Sequence, residues 1–238
     1  MGHSYRIMLA SLGFVLCACT TMGEHHATVR EHFDFGPQDT LSICLYVDRG
    51  ISEDSGRALV ESAWHDQAKL YAMDVKVVNV TQWSRPAFDM DGILADLRQK
   101  SLDAPCDRIL ALVGRNFGDF LWGLVGPEIL GAVNSESLTH GYAVAKMASL
   151  GQVLNPPAEI VEHEIYHLLG CGAHSNMNSC YQRIADLKRW KRENGTDFFP
   201  AWDLVHNQML ASRLDVNARL APFVTAKRSI NQALAGGG

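Results

Sequence analysis

The chain has 238 residues, 47% of them hydrophobic, with a formal net charge of −5. That length suits one domain with a sizeable core once a short leading segment is set aside. A mildly acidic balance with no basic run gives no electrostatic footprint for nucleic acid, and no internal repeat or long low-complexity stretch interrupts the sequence.

In chain order, Arg6 supplies a positive start and Ile7 to Leu16 an apolar run, the pattern of a secretory signal. About ten apolar residues are too few to cross a bilayer. The run ends in Leu16-Cys17-Ala18-Cys19, which resembles a bacterial lipobox. The resemblance implies cleavage after Ala18 and a lipid on Cys19. Residues 1–18 are then a signal peptide and 19–36 a lipidated N-terminus and tether. Thr20 in the second mature position is compatible with sorting to an outer membrane. The expected location is the bacterial cell envelope, on the periplasmic side, with acyl chains holding a domain to the membrane. Thr20 to His32 reads as a polar tether carrying His25, His26 and His32.

The rest of the chain, 37–238, reads as one domain. Thr40 to Val47 is a buried strand and Glu53 to Ala72 an amphipathic helix, with Leu59, Val60, Ala63, Trp64, Leu70 and Tyr71 near helical spacing. Val75 to Val80 is a β-branched strand, Asp91 to Lys100 a shorter helix, and Arg108 to Val113 another apolar strand. This β-α-β-α-β order predicts an α/β (α+β) fold with a mainly parallel sheet and helices packed on it. Asn116 to Gly126 is rich in glycine and aromatics, suited to a cleft rim or a loop packed on the core. Leu130 to Val133 and Tyr142 to Ala145 are two further short strands.

Ala158 to Leu169 follows as a helix of about three turns. Pro156 and Pro157 suit its first turn, and Gly170 stops it. Inside it stands His163-Glu164-Ile165-Tyr166-His167, the pattern H-E-x-x-H, followed by Gly170 and, further on, His174. Residues four apart share a helix face, so His163 and His167 can hold one metal ion. Glu164 sits where its carboxylate can take a proton from a metal-activated water. Beyond lie Ser175 to Ser179, of turn-rich composition, a helix from Tyr181 to Lys191, a turn at Asn194-Gly195, and a helix from Ala201 to Leu214.

Six cysteines are present. Cys17 leaves with the signal and Cys19 carries lipid, which leaves Cys44, Cys106, Cys171 and Cys180. An even set in an exported chain points to disulfides, with three possible pairings. The favoured pairing is Cys171–Cys180, which closes a short loop around His174 and Met177, with Cys44–Cys106 as the second bond.

His163, Glu164, His167, Gly170 and His174 together resemble the metzincin clan of zinc endopeptidases, whose pattern is H-E-x-x-H-x-x-G-x-x-H. Ala173 occupies the clan's third-ligand position and the histidine comes one residue later, so a one-residue bulge is needed to deliver His174. The resemblance implies a zincin domain with a twisted, mixed five-stranded sheet, an active-site helix and C-terminal helices. It implies one catalytic Zn2+ on His163, His167 and His174, with Glu164 as general base. It also implies an antiparallel edge strand lining the cleft, for which Gly131-Ala132-Val133 is the candidate, and a methionine turn, for which Met177 is nearest. Tyr181 is a candidate to assist the metal, with packing as its simpler role. Glu193 precedes a turn and is a poor gluzincin ligand. Asp203 and His206 are rival third ligands ranked below His174.

The function expected is therefore a zinc-dependent metalloendopeptidase that hydrolyses extracytoplasmic proteins or peptides, acting as a monomer. Two other classes fit the motif less well. One is a non-catalytic metal-binding envelope lipoprotein, the other a zinc amidase acting on peptidoglycan peptides. An intact Glu164 argues against the former, since a structural zinc site has no use for a general base.

Overall fold

The computed structural model describes residues 25–87, 89–114, 129–145, 156–172 and 177–223. Its centre is a five-stranded sheet made of β1 (Asp39–Val47), β2 (Met73–Gln82), β3 (Arg108–Val113), β4 (Gly131–Val133) and β5 (His140–Val144). The order across the sheet is β2-β1-β3-β5-β4. Pairings β1/β2, β1/β3 and β3/β5 are parallel, and β4 joins β5 antiparallel at one edge. The mixed α/β architecture and five-stranded mixed sheet expected from the sequence are present.

Helices cover both faces. Leu41, Ile43, Leu45, Val47, Leu110 and Leu112 share one cluster with residues of α2 (Glu53–Ala63), α3 (His65–Tyr71), α5 (Pro157–Leu168) and α6 (Met177–Asn194). Cys44, Ile109, Ala111, Val113 and Tyr142 face the other way, against α4 (Met90–Leu97) and residues from the 198–223 region. All six residues of β3 are buried, as a central strand covered on both faces requires. Each large aliphatic side chain buried this way contributes about 1.5–3 kcal/mol relative to exposure.

Several expected elements differ in detail. The helix anticipated over Glu53 to Ala72 is two helices, broken at Trp64. The indole of Trp64 is buried and donates to the Met73 carbonyl at 2.8 Å, so tertiary anchoring overrides helical continuity there. Ser52 caps α2 by accepting from the Ser55 amide, and Asp89 caps α4 by accepting from Gly92. The α6 helix is described from Met177 to Asn194, well beyond Tyr181 to Lys191 at both ends. Met177, Cys180, Tyr181, Ile184 and Leu187 form its buried stripe, while Asn178 and Ser179, the residues that suggested a turn, lie on its exposed side.

The helix expected over Ala201 to Leu214 is a hairpin of β6 (Ala201–Asp203) and β7 (Gln208–Leu210), followed by helix α7 over 213–223. The hairpin joins local turn contacts to a distant anchor, Arg219, which pairs with Asp203 at 3.0 Å. The Asp203 carboxylate accepts from the His206 amide at 3.0 Å, and Asn207 takes a left-handed φ of 51° that asparagine tolerates.

The segment from His25 also departs from a solvated tether. Helix α1 (Ala27–Arg30) leads to Phe33 and Phe35, whose rings lie 6.0 Å from Tyr181 and 5.1 Å from Tyr71. Two phenylalanines in so short a stretch supply the apolar area that docks it. Among the described residues no helix is long and apolar enough to cross a membrane. Cys17 and Cys19, with the rest of the expected signal, lie outside the described residues.

Candidate metal centre

Helix α5 starts with Pro157 in its first turn and packs against α2, β4 and β5. Ile160, Val161, Ile165 and Leu168 are buried in the core. That burial fixes the rotation of the helix and turns His163 and His167 together. Their Nε2 atoms stand 3.1 Å apart, with the rings at 76° to each other. Behind them the Tyr166 hydroxyl donates to Gln67 Oε1 at 3.0 Å, and its ring sits edge-on to Trp64.

The end of α5 is closed by a chain reversal. Gly170, at φ +97°, lets the backbone turn left-handed. Its amide donates to the His167 carbonyl at 2.9 Å, and the Cys171 amide donates to the Tyr166 carbonyl at 3.1 Å. This pair of bonds is a Schellman closure. The reversal returns the Cys171 carbonyl to within 2.6 Å of His167 Nδ1. A carbonyl only accepts, so Nδ1 carries the proton and Nε2 keeps its lone pair for a metal.

Glu164 is nine-tenths or more buried, and its Oε2 has no hydrogen-bond partner among the described residues. Burial pushes its carboxyl well above the usual carboxylate range. The side chain rests on Gly131 of β4, where a Cβ would land 2.3 Å from Glu164 Oε1. The motif helix and the edge strand therefore meet at a residue without a side chain. Alternation along the β4/β5 pairing turns the peptide groups of Leu130 and Asn134 toward β5 and those of Gly131 and Val133 outward.

The remaining expected site residues fall as follows. His174 lies in the 173–176 stretch, outside the described residues. Among the described residues no group of three or more His, Cys, Asp and Glu side chains is placed to hold a metal ion. Met177 is buried, but it opens α6, so 177–179 are helical and not part of a tight turn. Tyr181 is buried in the core beside Tyr71, and its hydroxyl lies 3.4 Å from His25 Nδ1. Asp203 and His206 bond to each other at 2.8 Å, and Asp203 also pairs with Arg219 at 3.0 Å. The disulfides are Cys44–Cys106 and Cys171–Cys180, the favoured pairing, with Cα separations of 5.5 and 4.7 Å.

The donor set fits zinc. Imidazole nitrogens are ordinary zinc ligands, and the 3.1 Å between the two Nε2 atoms is close to the spacing in a tetrahedral site. Bonds of about 2.0 Å would put two ligand nitrogens roughly 3.3 Å apart. A buried carboxylate with an unpartnered oxygen on the same helix is costly in a purely structural role.

Compared with known protein families and with curated proteins, the chain matches none. Among solved structures it is similar to a chaperone–substrate complex, with a TM-score of 0.43 and 10% identity over 78% of this chain and 34% of that one. It thus spans about a third of the length of that structure. It is also similar to archaemetzincin of Methanopyrus kandleri, with a TM-score of 0.37 and 16% identity over 65% of this chain and 96% of that one.

Two residues that matter here escape sequence reasoning. Gly131 reads as part of the candidate edge strand, which is observed as the antiparallel edge β4, but its contact with Glu164 is visible only once β4 and α5 are together. Arg108 reads as the first residue of an apolar strand. It is fully buried, and Nε donates to the Leu168 carbonyl at 2.7 Å. The available signal was a lone charge opening the run Arg108-Ile109-Leu110-Ala111-Leu112-Val113.

Proposed function

We propose that this chain is a zinc-dependent metallopeptidase of metzincin type, exported to a bacterial envelope and acting on extracytoplasmic proteins or peptides. The observation that carries the reading is a buried Glu164 carboxylate seated on Gly131, on the same helix as a His163–His167 pair whose Nε2 atoms stand 3.1 Å apart. His163, His167 and His174 hold the ion. When bound, zinc polarises a carbonyl and makes water acidic enough to attack it.

The protein's own groups do the rest. The Cys171 carbonyl holds His167 in the Nδ1–H form. Glu164 takes the proton of the attacking water and passes it to the departing amide nitrogen. A carboxyl whose proton affinity is raised by burial suits a group that must both accept and deliver. The outward peptide groups of Gly131 and Val133 bind an extended substrate by adding it to the sheet. Lipid on Cys19 keeps the domain at the membrane.

The test is metal analysis of the purified chain with peptidase assays on wild type, Glu164→Ala and His174→Ala. About one zinc per chain is expected in wild type. Glu164→Ala should keep the metal and lose activity, and His174→Ala should lose both. Wild type that takes up no zinc even when zinc is supplied sinks the enzyme reading.

A further inference from the structure

We propose that Arg108 is a positioning residue for the metal-binding histidines, acting through the end of α5; the inference rests on the metal reading above. The last turn of a helix leaves its carbonyls without internal partners. In α5 the Ile165 carbonyl accepts from Leu169 at 2.9 Å, Tyr166 from Cys171, and His167 from Gly170. Leu168 is the one the reversal cannot serve, and Arg108 Nε fills that role from β3 at 2.7 Å.

The guanidinium does more than cap. Nη1 donates to the carbonyls of Asp107 at 2.7 Å and Phe199 at 2.9 Å, and Nη2 donates to Pro200 at 2.7 Å. One planar group therefore ties the end of α5 to β3 and to the segment leading into the β6–β7 hairpin. Among the described residues no carboxylate hydrogen-bonds it. The Asp107 carboxylate is spent on the amides of Ser42 and Phe199 and on Arg213. Burial lowers the Arg108 pKa to about 10, which still leaves it charged at neutral pH, beneath the negative end of the helix dipole. The turn pinned at Leu168 is the one that brings the Cys171 carbonyl onto His167 Nδ1. Loosening it frees the His167 ring to change tautomer and tilt.

Lysine keeps the charge at position 108 but not the planar fork. The experiment compares full-length wild type, Arg108→Lys, Arg108→Met and Leu220→Ala. Leu220 is a buried residue of the cluster on the other face of the sheet, so its truncation controls for lost stability alone. Zinc affinity is measured by competition with a chromophoric chelator, and the His167 tautomer by nitrogen NMR of metal-free protein.

Both Arg108 variants should weaken zinc binding by about 10–100-fold, the usual range for groups that orient ligands. They should also lose the pure Nδ1–H signal of His167. Leu220→Ala should melt earlier with zinc affinity within about twofold of wild type. Arg108→Lys with wild-type zinc affinity and tautomer overturns the inference, as does an equal loss of affinity in Leu220→Ala. If wild type binds no zinc, the metal reading fails separately, and the tautomer signal alone decides the role of Arg108.

Discussion

The two edges of the sheet are treated in opposite ways. At the β2 edge, two side chains of α2 occupy the backbone of one residue: Arg57 donates to the Val77 carbonyl and Glu61 accepts from the Val77 amide at 3.1 Å. The register also slips beside Val77, where Ile43 pairs with Val77 and Cys44 with Asn79, which leaves Val78 as a bulge. Capping and bulging are both ways of blunting an exposed edge against strand addition. At the β4 edge, among the described residues, no side chain hydrogen-bonds the outward peptide groups of Gly131 and Val133, and the Glu164 carboxylate stands beside them. Among the described residues, then, one edge of the sheet is blunted by side chains of α2 and the other lies against a buried carboxylate.

The largest expected effects break the open edge. Glu164→Gln should cut peptidase activity by about 10²–10⁴-fold with the fold intact, the range for loss of a general base. Gly131→Ala forces a methyl against the Glu164 carboxylate and should cost about 100-fold in kcat, as a displacement of about 1 Å does near reacting atoms. Activity assays beside circular dichroism check both, and a fully active Gly131→Ala would remove the β4 contact from the mechanism.

Next comes the strand that carries the open edge. His140, at the start of β5, is buried, bonded to Thr139 Oγ1 at 2.8 Å and the Lys100 carbonyl at 3.0 Å. Burial lowers its pKa from 6.5 to about 4. The unfolded chain binds this proton more readily than the folded one, so the contribution is complete above pH 6.5 and is lost as pH falls from 6.5 toward 4. The loss amounts to about 3 kcal/mol over that window. Urea titrations at pH 7, 5 and 4 should show a shallower acid-side decline in His140→Gln than in wild type.

Val133→Pro removes one outward amide and spares the bonds to β5, a position where an edge strand accepts proline. KM should rise about tenfold, the value of roughly one hydrogen bond, with little change in melting temperature. Unchanged KM would mean that substrate does not pair with β4.

The smallest effect is at the protected edge. Arg57 and Glu61 are both about two-fifths exposed and lie 3.9 Å apart, so their pairing contributes little. Arg57→Ala with Glu61→Ala should lower stability by only about 1 kcal/mol or less. The uncovered edge should raise self-association in sedimentation measurements, and a strictly monomeric double variant would show that the bulge suffices.

What the sequence disclosed follows the range of the interactions. Strand β3, the proline-led start of α5 and the Gly170 stop are set by neighbours within a few residues, and each was legible. So was the H-E-x-x-H face, because helical spacing alone aligns His163 with His167. The break at Trp64, the early start of α6 and the hairpin at Ala201 to Leu210 were not. Trp64 answers to the Met73 carbonyl and Met177 to the core, while Asp203 answers to Arg219. Composition misled at Asn178 and Ser179 because asparagine and serine on the wet side of a helix look like a turn when the buried stripe opposite is not yet known. The contact of Gly131 with Glu164 and the role of Arg108 were unread for the same reason, since their partners lie on α5.

The seat of Glu164 on Gly131 also constrains descent. Every residue other than glycine places a carbon where the carboxylate now lies. Substitution at 131 therefore displaces the carboxylate for as long as a glutamate is kept at 164. A lineage that gives up the carboxylate is released at 131 at the same moment. Among relatives the two positions should be kept together or lost together, so that the glycine becomes an inherited record of the glutamate.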